Sequence, residues 1–89
     1  MPVGLLHVGF GNMVVAARVV AIVAPDSLPV RRMLRSAEDR GKLVQAARGR
    51  KVRSVLVMDD GTIVTSALHP GTISRRLEQC IEAEEHADA

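Results

Sequence analysis

The sequence predicts one small α+β domain, an antiparallel-rich sheet with two helices in the order β-β-α-β-β-β-α. Three observations lead there. Two stretches carry apolar residues at helical spacing, several β-branched runs are apolar on both alternating faces, and Asp59-Asp60-Gly61 is a tight hairpin signal. At 89 residues the chain has the size of a single domain and no room for a catalytic lobe beside a binding lobe.

Val3 to Val8 reads as the first strand, and Gly9-Phe10-Gly11-Asn12 as a turn with Phe10 in the core. Val14 to Ala24 suits a strand buried on both sides, with Ala16 and Ala17 as the place where it would divide. Pro25 and Asp26 end it. Ser27 is placed as a helix N-cap, with Pro29 in the first turn where its missing N–H does no harm. Val30, Met33, Leu34 and Ala37 then form an apolar stripe, and Gly41 sits where a helix ends in positive φ. Leu43 to Ala47 reads as a short strand, Arg48-Gly49-Arg50-Lys51 as a turn, Val52 to Met58 as a strand and Thr62 to Leu68 as its hairpin return. His69-Pro70 opens a second helix whose apolar face is Ile73, Leu77, Cys80 and Ile81. The domain is expected to span residues 1–81, with 82–89 an acidic tail that frays.

Composition narrows the function. Phe10 is the only aromatic residue, so the core must come from Val, Ile, Leu, Met and Ala. Small chains bury only about 60% of their unfolded surface, and with Cys80 alone no internal disulfide can help, so oligomerisation is the expected supplement. The lone cysteine suits a reducing, cytoplasmic setting. No apolar run reaches the roughly 18 residues of a membrane span, and no basic segment precedes an apolar one at the N-terminus. Residues 1–77 hold all 12 Lys and Arg against five acids, a net +7, whereas residues 78–89 carry five acids and no cation. A basic body with an acidic tail points to a polyanion or to an acidic protein partner.

Catalytic chemistry finds no support. His7, His69 and His86 are scattered without metal-ligand spacing, and Cys80 has no accompanying base. Val14 stands where G-x-G-x-x-G needs its last glycine, so no nucleotide loop is read at Gly9–Asn12 and no cofactor is expected. Arg48, Arg50, Lys51 and Arg53 place four cations within six residues at a loop–strand junction, the pattern that phosphate contacts require. A solvated loop would show the same residues. Arg18 interrupts an apolar run and must pair, with Asp26, Glu38 or Asp39, reach solvent, or meet an anionic partner. With one Phe a base-stacking platform is hard to build, which favours duplex DNA over RNA or single strands.

His7-Val8-Gly9-Phe10-Gly11-Asn12, Ile22-Val23-Ala24-Pro25, Arg32-Met33, Asp39-Arg40-Gly41, Gly49-Arg50-Lys51-Val52-Arg53 and Met58-Asp59 occur here in the order and spacing of one family. From about residue 3 to residue 77 the chain resembles the RemA family of bacterial extracellular-matrix (biofilm) regulators. The resemblance implies a LytTR-like, double-stranded DNA-binding transcriptional regulator without enzymatic activity, associated with the nucleoid. It also implies a ring-shaped homo-oligomer of about eight chains, with DNA wrapped on its rim. The family's DNA-contacting arginines fall on Arg18, Arg50 and Lys51, and the basic edge adds Arg53. Lys51 is a departure, because lysine keeps the charge but lacks the planar fork of the family's arginine.

Overall fold

In the computed structural model residues 4–87 are described, with side chains through Glu82. Strands β1 (Leu5–Gly9) and β2 (Asn12–Val15) form an antiparallel hairpin, and one 3-10 turn over Ala16–Arg18 leads into β3 (Val19–Val23). Helix α1 (Leu28–Asp39) follows, then β4 (Leu43–Gln45), β5 (Ser54–Met58), β6 (Ile63–Ser66) and α2 (Pro70–Ala87). A second sheet has the order β3-β5-β6-β4, antiparallel except for the parallel β4–β6 pair. The α+β class and element order are those expected, with the strand predicted over Val14–Ala24 divided by the 3-10 turn. Val19 N–H donates to the Ala16 carbonyl to close that turn. Ala16 is thereby buried and Arg18 turns outward, which a doubly buried strand could not have allowed.

The four-stranded sheet is the middle of three layers. Along β5, Val55 and Val57 face α1 and pack with Ala37, Ile63, Val30, Met33 and Leu34. Leu56 and Met58 point the other way, into Leu6, Val8, Val64, Ile73 and Leu77 from the hairpin, β6 and α2. This two-sided burial is why β5 is apolar at every position from Val55 to Met58, without polar alternation. None of the six strands contains Asp, Glu, Lys or Arg. Charge is confined to turns, connections and the outer helix faces.

Helix α1 begins as expected, with Ser27 Oγ accepting from Val30 N–H at 3.3 Å. It ends at Gly41, whose φ of +69° lets Lys42 N–H reach back to the Ala37 carbonyl at 2.8 Å. The hairpin layer is fastened to the sheet by one hydroxyl. A bulge between His7 and Gly9 leaves Val8 outside the β1–β2 ladder, and buried Ser66 Oγ donates to its carbonyl at 2.7 Å. The same oxygen accepts Leu68 N–H at 3.1 Å. Replacing Ser66 with Ala leaves both backbone groups without this partner and is expected to cost about 1–3 kcal/mol, read as a lower midpoint in urea unfolding at unchanged slope.

Candidate nucleic-acid interface

The segment between β4 and β5 is held at both ends. Buried Ala46 and Ala47 anchor its start, Arg50 N–H donates to the Ala47 carbonyl at 3.0 Å, and Arg53 N–H donates to the Ser66 carbonyl at 2.9 Å. Between these ties the chain passes through left-handed φ at Arg48 (+52°) and Gly49 (+79°). Glycine takes that conformation freely, whereas a non-glycine residue there costs of order 1–3 kcal/mol and persists only where its surroundings fix it. The outcome is a rigid bend with Arg48, Arg50, Lys51 and Arg53 all exposed. Four of the predicted cations thus share one end of the molecule.

Phe10 belongs to this end, not to the core. It is 47% exposed, at φ +52° in the β1–β2 turn, and the Arg50 guanidinium carbon lies 5.6 Å from its ring centroid. Asn12 Nδ2 donates to the Gly9 carbonyl at 3.1 Å and steadies the turn. A two-residue turn in left-handed backbone aims the ring away from the sheet, so an aromatic residue that hydrophobicity assigns to the interior becomes a platform for a cation. Such a contact at an exposed site contributes about 0.5–1 kcal/mol and restricts the arginine. Lys51 and Arg53 line a cleft of 220 Å³ with Pro25, Asp26, His69 and Pro70. His69 Nδ1 accepts Gly71 N–H at 3.0 Å there, within the first turn of α2.

Arg18 lies elsewhere. Its backbone carbonyl accepts Asp59 N–H at 2.9 Å, and its Nε donates to Asp59 Oδ1 at 3.0 Å and Oδ2 at 3.2 Å. Its partner is therefore Asp59 in the β5–β6 turn, and not Asp26, Glu38 or Asp39. The hydrogen bond to Asp59, and then the attraction of its charge, hold the Arg18 guanidinium charged still more firmly than usual. The turn itself is braced: Asp60 Oδ1 accepts Thr62 N–H at 2.9 Å, and Lys42 Nζ donates to the Asp60 carbonyl at 2.8 Å. Those Thr62 bonds, aided by the Lys42 and Arg18 charges, keep the Asp60 carboxyl below its ordinary range. Arg53 precedes β5 and Asp59 follows it, so the Arg18 pair and the basic bend sit at opposite ends of one strand, about 20 Å apart at roughly 3.3 Å per residue.

Among the described residues no group of three or more His, Cys, Asp or Glu is placed to hold a metal, and no helix is long and apolar enough to cross a membrane. Cys80 is half-buried, with Sγ donating to the Leu5 carbonyl at 3.4 Å, a packing role against β1.

Residues 5–77 match the RemA-like family, described as extracellular matrix regulatory protein A-like. The chain belongs to that family. A candidate regulatory protein of Dictyoglomus turgidum is 57% identical over 74 residues, covering 83% of this chain and 87% of the relative. The Extracellular matrix regulatory protein A of Bacillus subtilis is 46% identical over 77 residues, covering 86% of each chain. The RemA-like family is regulatory by description and names no reaction. Sequence reading named these cations as candidates but missed Phe10 and Asp59 as their neighbours. Asp59 lies 41 residues from Arg18, and only the β3–β5 register brings them together.

Proposed function

We propose that this RemA-like protein is a double-stranded DNA-binding transcriptional regulator of extracellular-matrix genes, acting at the nucleoid as a homo-oligomeric ring that the duplex wraps. The observation that carries the reading is the rigid bend with four exposed cations, Arg50 stacked on Phe10 among them. Phosphates need cations held along an edge, and need no aromatic stacking of bases. Arg18 adds a contact at the far end of β5. So few cations on one subunit bind weakly at physiological salt, and linked copies gain avidity through effective concentration.

Assembly is supported by the edges of the central sheet. Within the described strands β3 and β4 each pair on one side only. Val20 on β3 is 67% exposed, and Val44 on β4 and Met13 on β2 are 47% and 48% exposed. Two different apolar edges on opposite sides favour head-to-tail contacts, which close into rings when the rotation allows.

The test is a gel-shift titration of Arg50→Ala against the parent protein, with sedimentation run in parallel. We expect strongly weakened DNA binding with the assembled mass unchanged. Parental affinity in Arg50→Ala would remove the assignment. Capture of an acidic protein from nuclease-treated lysate, with no shift of any duplex, would replace DNA with a protein partner.

A further inference from the structure

We propose that Asp59 is a positioning residue for DNA binding: it holds Arg18 by Nε and thereby presents the guanidinium's Nη1/Nη2 fork to a pair of adjacent acceptors on the duplex. The proposal rests on the reading that Arg18 contacts DNA. It adds an acidic residue that charge alone would place against binding.

The geometry separates positioning from masking. A carboxylate that sequestered the arginine would engage its Nη groups, whereas both Asp59 oxygens converge on the single Nε hydrogen. No other hydrogen bond from the Arg18 side chain occurs among the described residues, so four Nη hydrogens remain to be donated. Both side chains are open to solvent, at 57% and 46% exposure, so a duplex can reach the fork without displacing the pair.

The supports on each side are rigid. Asp59 N–H is bonded to the Arg18 carbonyl, so the two backbones move together. Thr62 and Lys42 brace the turn that carries Asp59, and the 3-10 turn carries Arg18. Fixing a long side chain before binding lowers the ordering cost that a free arginine would meet on contact. The partner chemistry is a planar or forked pair of acceptors: two phosphate oxygens, or O6 and N7 of a guanine.

Fluorescence anisotropy with labelled duplexes of about 150 bp, one of mixed sequence and one of A·T pairs only, tests this. Asp59→Ala is expected to weaken binding by at least about tenfold, although it removes a negative charge. Asp59→Asn keeps one acceptor and the backbone bond, and is expected to fall between Asp59→Ala and the parent, which preserves the test if the alanine variant does not fold. In an Arg18→Ala background neither substitution should weaken binding further, a coupling that a general loss of structure would not produce. Equal losses for Arg18→Ala on both duplexes identify phosphate as the target, and a loss confined to the mixed sequence identifies guanine. Parental or tighter binding by both Asp59 variants, with Arg18→Ala still weakened, overturns the positioning role and leaves the DNA reading standing. Parental affinity in Arg18→Ala removes Arg18 from the interface, and the proposal with it.

Discussion

Raising the salt concentration from about 50 to about 200 mM is expected to lower the affinity for duplex DNA by roughly a thousandfold or more. The physical cause is counterion release. Each phosphate neutralised by Lys or Arg frees condensed cations, and the logarithm of the affinity falls by about 0.9 per logarithm of salt for each one. One subunit offers Arg50, Lys51 and Arg53 at one end of β5 and Arg18 at the other, all exposed. In the proposed ring, a few adjacent subunits would reach the six to ten phosphate contacts, in round terms, for which losses of about 10³–10⁵ apply. Anisotropy titrations across a salt series give the slope directly, and Arg50→Ala should make it shallower as well as weakening binding. A flat response would show that these cations meet no phosphate.

The second large effect concerns folding. Leu56→Ala is expected to destabilise the domain by about 3 kcal/mol, within the usual range of about 2–5 for a fully buried leucine. Leu56 has no exposed surface and sits in the cluster that joins the central sheet to Leu6, Val8 and Ile73. The Ser66 hydroxyl bond to Val8 holds the hairpin against the sheet beside this cluster. In a chain of this length the loss corresponds to a fall in Tm on the order of 15 °C, measured by circular dichroism at matched protein concentration. Val20→Ala, at a residue 67% exposed on the β3 edge, should leave subunit folding nearly unchanged. Equal melting of Leu56→Ala and the parent would contradict the two-sided burial of β5.

What could be read from the sequence was local. Ser27 capping α1, Gly41 ending it and Asp59-Asp60-Gly61 turning β5 into β6 each depend on a few consecutive residues, and each is present. The uninterrupted apolar runs pointed to strands covered on both faces, as β5 is and as β3, with Val20 67% exposed, is not. What was hidden depends on pairing across the chain. Ser66 reaches Val8 over 58 residues, and Arg18 reaches Asp59 over 41. Neither follows from periodicity, because a strand pattern gives the faces of a strand but not its neighbour. The parallel β4–β6 pair was invisible for the same reason. Phe10 misled through chemistry: its hydrophobicity argued for the interior, while its positive-φ turn directs the ring toward Arg50.

The absence of ionisable side chains from the six described strands, other than His7, places the residues of the proposed interface and those of the packed interior apart. Substitutions in the bends at either end of β5 therefore need not disturb the packed layers, since distant sites without shared partners act independently. A scaffold of this kind lets descendants drift in what they bind, one turn at a time, while inheriting the same sturdy interior.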